Sequence, residues 1–161
     1  MAELKLLRGE IATVDDDMYP MLSQWQWHLH SNGYVIRTTG THSKREVYWL
    51  HRVVLGVKCK VDHKDGNRLN NRQSNLRPAS TSQNGANRRK SLLPTSSKFK
   101  GVQFRPTRKG FGEGWEARIK HKDKTGKQVY LGFFKHEIDA AKAYNAAAEK
   151  LFGEFALLNP V

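Results

Sequence analysis

Cysteine is almost absent from this 161-residue chain, which carries only Cys59. A single thiol excludes an internal disulfide framework and any zinc site built on paired thiolates. Proline is sparse, with five residues, and 15 acidic residues are outnumbered by 28 Lys and Arg, for a formal charge of +13. Long apolar runs are missing too: Val53-Val54-Leu55 and Phe155-Ala156-Leu157-Leu158 fall far short of the roughly 20 residues that span a bilayer. From Met1 to Ile11 charged and apolar residues alternate, with no signal-peptide apolar stretch. The expectation is a soluble, intracellular, cytoplasmic protein with no membrane partner.

Apolar residues make up 38% and aromatics 10%, enough for modest cores and too much for a disordered chain. The positive charge is unevenly placed. Residues 1–43 hold three basic and five acidic residues, a net −2; residues 44–97 hold 12 and three, +9; residues 98–161 hold 13 and seven, +6. Excess Lys and Arg on folded segments point to nucleic acid, because they displace counterions condensed on phosphates. No strongly amphipathic basic helix suggests an anionic membrane instead.

The pattern divides into three segments. Residues 1–56 read as short strands around one small helix. Asp15-Asp16-Asp17 offers N-cap oxygens ahead of Met18 to Leu22. Trp25, Trp27 and Leu29 alternate with polar residues as in a half-buried strand, and Ser31-Asn32-Gly33 supplies a turn. Tyr34, Ile36 and Thr38 alternate next; Gly40 to Lys44 is a turn; Val47 to His51 is read as another strand. Trp25, Trp27 and Trp49 are expected in the core. Residues 57–90 are polar and rich in Asn, Arg and Gly, which reads as a loop or disordered stretch unless something other than a core organises it, such as a metal ion and a net of side-chain-to-backbone hydrogen bonds. Residues 91–97, with Pro94 and four Ser or Thr, read as a linker. Residues 98–161 give three strands (Val102-Phe104, Trp115-Ile119, Val129-Leu131) with turns at 105–114 and 124–127. A helix follows from Glu137 to Phe152 with Ile138, Ala141, Tyr144 or Asn145, Ala148 and Leu151 on one face and Gly153 as its C-cap.

The chemistry concentrates in the middle segment. Asp62 beside His63 is followed by an Asn-rich loop, a short strand near Asn75-Leu76-Arg77 and a helix starting near Ser80–Ser82. Asp62 and Asn84 offer hard oxygen ligands, and His63 offers a base that titrates near neutrality. Phosphodiester hydrolysis needs these parts: a divalent cation on the phosphate and a general base on water.

Leu50-His51-Arg52, Val61-Asp62-His63-Lys64-Asp65-Gly66-Asn67, Asn75-Leu76-Arg77 and Ser82-Gln83-Asn84 with Asn87 resemble the HNH endonuclease family, in its phage and mobile-element branch. The resemblance covers about residues 47–90. It implies Asp62 and Asn84 as metal ligands, with Asn87 as an alternative. It implies His63 as the general base, and Asn75 as the residue that pins the loop by backbone hydrogen bonds and orients His63. His51 stands near the site in a structural or catalytic role. Where many members have a second histidine this chain has Asn84, which favours one Mg²⁺ or Mn²⁺ over Zn²⁺. Arg68, Arg72, Arg77, Arg88 and Arg89 are candidate phosphate contacts.

The last segment has its own resemblance. Ser97-Lys98-Phe99-Lys100-Gly101-Val102-Gln103-Phe104-Arg105, Trp115 to Lys120, Tyr130-Leu131-Gly132-Phe133-Phe134 and the Ala-rich end look like the plant ethylene-response-factor (APETALA-type) DNA-binding domain. That family lays its sheet in the DNA major groove, which nominates Lys100, Gln103, Arg105, Arg118, Lys120, Gln128 and Tyr130. Gln103, Arg118, Gln128 and Tyr130 depart from the family's usual residues, so its base preference does not transfer.

Together these readings give an α+β protein. Residues 1–90 form an HNH domain, with a β-rich scaffold over 1–56 and a ββα-metal unit over 57–90. After the linker, residues 98–161 form a three-stranded antiparallel sheet packed on one helix. The expected function is a homing-type endonuclease of a phage or mobile element in a bacterial host. It acts as a monomer on double-stranded DNA and nicks one strand. The alternative is a non-catalytic DNA-binding regulator that keeps the nuclease scaffold.

Overall fold

Alternating residues at the N-terminus pair into a hairpin. β1 (Ala2–Lys5) runs antiparallel to β2 (Ile11–Val14), with Leu4, Ala12 and Val14 turned into the core. The structure, a computed structural model, describes residues 1–41, 44–90, 95–108, 110, 112–120 and 128–161. Two compact units divide the chain, Met1–Thr81 and Ser82–Val161.

In the first unit α1 (Tyr19–Leu22) is a single turn, and the aspartates before it do not cap it. Asp15 instead accepts the Gln73 N–H at 2.7 Å and the Arg72 Nε–H at 3.2 Å. An arginine partner is worth more to a carboxylate than the small dipole of a one-turn helix. The strand expected around Trp25 shrinks to β3 (His28–Leu29), which pairs with β4 (Val35–Thr39), itself paired with β5 (Glu46–Trp49). Gly33, at φ +83°, turns the chain between β3 and β4. The turn expected at 40–44 includes His42 and Ser43, outside the described residues. Of the three tryptophans expected in the core only Trp27 is deeply buried, its indole N–H donating to the Leu22 carbonyl at 2.8 Å. Trp25 and Trp49 are half-buried. Trp25 carries the Arg37 guanidinium, whose carbon lies 4.2 Å from the ring centre.

The segment read as one strand through His51 changes at Leu50 into α2 (Leu50–Leu55). Leu50 and Val54, one helical turn apart, both enter the core, and Gly56 at φ +65° closes the helix in a conformation suited to glycine. β6 (Val61–His63) then pairs antiparallel with β7 (Leu76–Pro78), and α3 (Thr81–Ala86) follows. Val61 and Leu76 share one apolar cluster with Leu4, Trp27 and Leu50, so the scaffold and the two strands form a single core.

In the second unit β8 (Val102–Arg108), β9 (Gly112–Lys120) and β10 (Gln128–Phe134) form an antiparallel sheet in the order β10-β9-β8. The turn expected at 105–114 overlaps the strands, because β8 continues through Arg108 and β9 starts at Gly112. The turn at 124–127 lies outside the described residues, as do residues 91–94 of the expected linker. Ser97, at the linker's end, is buried in this unit and donates Oγ–H to Glu137 at 2.7 Å. α4 (Glu137–Phe152) buries Ala140, Ala141, Tyr144, Ala148 and Phe152, and leaves Ile138 and Leu151 exposed. The expected face is thus rotated: adjacent alanines let the helix come close to Val102 and Ala117, where Ile138 would hold it off.

Candidate active site and nucleic-acid face

Asp62 and His63 sit on β6 and are buried, with 3% and 4% of their surface exposed. The register places Arg77 of β7 opposite Asp62, and both Nε and Nη2 of that arginine lie 2.9 Å from Oδ2 of the aspartate. Arg77, one of the candidate phosphate contacts, therefore spends its guanidinium on Asp62.

Residues 64–75 contain few apolar side chains, and amides hold them instead. Asn75 Oδ1 accepts the Asp65 N–H at 3.1 Å; its Nδ2 donates to Asp65 Oδ1 at 2.9 Å and to the Asn70 carbonyl at 2.8 Å. Asp65 also accepts the Asn67 N–H and the Asn70 amide, each at 2.8 Å. Burial pushes the Asp65 carboxyl up, but the bonds from Asn70, Asn67 and Asn75 outweigh it and leave the group below its ordinary value. Gly66, at φ +73°, donates its N–H to the His63 carbonyl at 2.9 Å and so folds the loop back.

The His63 ring lies in an aromatic nest. The Tyr34 ring centre is 5.7 Å away and that of His51 5.3 Å, with Trp49 a further 5.9 Å from His51. Arg68, a candidate phosphate contact, stacks its guanidinium 4.6 Å from the centre of Tyr34. Burial lowers the His63 pKa below its ordinary value, opposed chiefly by a bond to Asn71. His51, on α2, is pushed down from 6.5 to about 3, first by burial and then by facing His63 and Arg52. Its Nδ1 is buried with no hydrogen-bond partner among the described residues.

Two roles divide differently from the expectation. Asn75 does bond the loop, but the side-chain bond described for His63 comes from Asn71, whose Oδ1 is 3.4 Å from Nε2. Asn71 was not singled out from the sequence, where it reads as one more turn asparagine. Its fully buried position was not visible there. Its backbone is held by the scaffold, since its N–H donates to the Thr13 carbonyl and the Thr13 N–H to the Leu69 carbonyl, both at 2.8 Å. Arg72 is engaged by Asp15. Asn84, on α3, is half-buried and belongs to the second unit, where Arg88 and Arg89 are exposed.

No group of three or more His, Cys, Asp or Glu among the described residues is placed to hold a metal by itself. The donor chemistry at Asp62 still fits a hard divalent ion. Its carboxylate is the hard oxygen donor such an ion takes, and Mg²⁺ needs only one or two carboxylates when water and phosphate complete its shell, although Arg77 competes for Oδ2.

In the second unit the register separates two faces. Val102, Ala117 and Ile119 are buried on the helix side. Gln103, Arg105, Glu116, Arg118, Lys120, Gln128 and Tyr130 share the other side. Glu116 is buried there and accepts Arg105 Nη2 at 3.2 Å and Arg118 Nε at 2.6 Å. Burial raises the Glu116 carboxyl, but the two arginines outweigh it and hold it below the ordinary value. Lys100 differs from the other candidates: half-buried, it donates Nζ–H to the Ala86 carbonyl, and burial lowers its ammonium to about 8. An open groove of about 670 Å³ is lined by Lys90, Lys100, Gln103, Arg118, Lys120 and Gln128, among others.

A family model described as HNH endonuclease matches residues 48–86, from β5 through α3. A protein described as an uncharacterized HNH endonuclease of Acanthamoeba polyphaga mimivirus is 33% identical over 159 residues, covering 96% of this chain and 77% of the viral protein.

Proposed function

The chain belongs to the HNH endonuclease family, and on that premise we propose a metal-dependent DNA endonuclease that hydrolyses a phosphodiester with His63 as general base. The observation that carries this reading is His63 itself, buried on the strand that carries Asp62, where burial lowers its pKa from the ordinary value. A neutral imidazole at physiological pH can take a proton from water. As the water oxygen bonds to phosphorus, its proton passes to the ring and the P–O bond to the leaving strand breaks. Asp62 and, by the motif, Asn84 are the residues that would hold one Mg²⁺ or Mn²⁺. Bound there, the ion supplies Lewis-acid polarisation of the phosphate and charge for the leaving oxygen. Asn75 and Asp65 keep the loop closed behind the base, and Arg68 presents its charge beside the ring nest.

The second unit supplies DNA affinity through the exposed face of its sheet, in the manner of the APETALA-type domain. By function the nuclease domain is read as 1–90 and the DNA-binding domain as 98–161, although residues 82–90 cluster with the second compact unit. Phosphate-contacting cations position the duplex, and Gln103, Gln128 and Tyr130 offer groups that reach base edges. One active site in a monomer acts as a nickase, of the homing type carried by phages and mobile elements. Among the described residues no helix is long and apolar enough to cross a membrane.

The regulator reading has one observation on its side: a carboxylate paired with Arg77 would suit a scaffold that never binds metal. A time course on supercoiled plasmid carrying the native locus separates the two. Nicked circle that accumulates with Mg²⁺ or Mn²⁺ and not with EDTA supports the nuclease. Linear product without prior nicked circle removes the nickase assignment, and tight binding without cleavage supports the regulator.

A further inference from the structure

From Ser82 onward α3 belongs to the second unit, although by the motif Asn84 on that helix is a metal ligand of the nuclease. A helix of six residues has little stability of its own, and its last carbonyls need partners from elsewhere. The carbonyl of Ala86, the last residue of α3, accepts the Leu157 N–H at 3.3 Å and an Nζ–H of Lys100. Both donors lie in a held segment. Asn159, buried two residues beyond Leu157, accepts the Lys100 N–H on Oδ1 at 2.7 Å and donates Nδ2–H to the Lys100 carbonyl at 3.1 Å. Asn145 of α4 grips Asn159 in the same two-point way, accepting its N–H at 2.8 Å and donating to its carbonyl at 2.9 Å. A chain of amides thus ties the end of α3 to α4, with the Lys100 ammonium as its last link.

We propose that Lys100 is a positioning residue of the nuclease, one that clamps the C-terminal end of α3 and so sets the place of Asn84, rather than a contact to DNA phosphate. The inference rests on the reading of Asn84 as a metal ligand. Lys100 lines the same groove as Arg118 and Lys120, yet those two are exposed while Lys100 is half-buried with its ammonium on Ala86. Beside the affinity proposed for its sheet, the second unit then holds a piece of the proposed active site. The segment from Leu157 to Asn159 gains a function by the same contacts, since it carries one donor to Ala86 and fixes the other.

The test compares the full chain with Lys100→Met, Lys100→Arg and Asn159→Ala, by amide hydrogen exchange without metal and by single-turnover cleavage of native-locus DNA with Mg²⁺. The Asn87 N–H closes the last turn of α3 on the Gln83 carbonyl, and Ile119 is buried on β9. In Lys100→Met the Asn87 and Leu157 amides are expected to exchange at least ~10-fold faster, with the Ile119 amide unmoved. Cleavage at saturating DNA is expected to fall at least ~10-fold and to need more Mg²⁺ for its half-maximal rate, with DNA affinity unchanged. Lys100→Arg keeps a donor and is expected to restore both readouts. Asn159→Ala alters no charge and is expected to act like Lys100→Met, which a phosphate contact would not explain. Weaker binding with a salt slope shallower by about 0.9, and exchange unchanged, makes Lys100 a phosphate contact and overturns the proposal. Exchange raised equally at Ile119 overturns it too, since Lys100 would then serve the fold of the whole unit. If the amides respond as expected but the parent cuts no DNA, the clamp stands and the nuclease reading falls. If the parent cuts and neither exchange nor rate responds in Lys100→Met, the clamp falls and the nuclease reading stands.

Discussion

Residues 64–75 in the first unit and the sheet of the second are held by different forces. The loop depends on Asn67, Asn70, Asn71, Asn75 and Asp65, whose bonds are mostly with one another and with nearby backbone. The sheet rests on Phe99, Val102 and Ala117 against Ala140 and Ala141, and its charged side chains stand on the opposite side. In the loop, the groups that maintain shape are neighbours of the proposed base His63, so a single loss strands a buried partner. In the sheet the packed side and the charged face are separate, so on the proposed reading a change on the charged face is expected to show in DNA binding and hardly in folding.

The largest effect follows from the ion pair behind the base. Asp62→Ala leaves the mostly covered Arg77 without its carboxylate, a loss of up to roughly 3–5 kcal/mol by the behaviour of broken buried pairs. Urea denaturation of the first unit should register it, with the second unit's transition unmoved; a common shift of both would erase the contrast. The second unit breaks through its packed side. Gly101 sits at φ +74°, and a Cβ there would meet the Tyr144 ring at 2.2 Å and the Arg118 carbonyl at 2.6 Å. Gly101→Ala should cost about 2–4 kcal/mol in that unit and leave the first unit's denaturation midpoint unchanged.

Acid should distinguish the units more gently. In the folded chain His51 stays neutral down to about 3, whereas in the unfolded chain it takes a proton below about 6.5. The unfolded state then binds the extra proton, so stability is full above about 6.5 and falls as the pH drops, by up to roughly 1.4 kcal/mol per unit. Burial of His63 acts in the same direction. His136, the histidine described in the second unit, is exposed. Denaturant midpoints at pH 7.5 and 5 should diverge, with the first unit weakened; equal midpoints would contradict the burial of His51.

The smallest effect is the most discriminating for the sheet. Glu116→Gln adds one net positive charge, and simple electrostatics would tighten DNA binding. If Glu116 instead fixes the planes of Arg105 and Arg118, the variant binds a few-fold more weakly at equal salt, within the roughly 1–3 kcal/mol of one good contact. Tighter binding would reduce Glu116 to a bystander.

Much of this was legible from the residues. Asp62 beside His63, the two strands and the helix near 81 follow from motif and turn chemistry, and the last strands follow from alternation. What was hidden depends on depth. Asn71 and Asn75 look alike in sequence, and only burial against His63 separates their tasks. Leu50 could continue a strand or start a helix; the pairing of Leu50 with Val54 in the core decides it. Hydrophobicity alone puts Ile138 on the buried face of α4, whereas close approach to the sheet selects alanine. Ser97 was read as linker, since a polar residue gives no sign that Glu137 waits for its hydroxyl.

The most direct test of the account is single-turnover cleavage of the native-locus DNA with Mg²⁺, comparing the parent chain with His63→Ala at matched binding saturation. The account predicts a cleavage rate lower by at least ~10²-fold in the variant, with DNA affinity retained. Cleavage that survives in His63→Ala at the parent rate would contradict it.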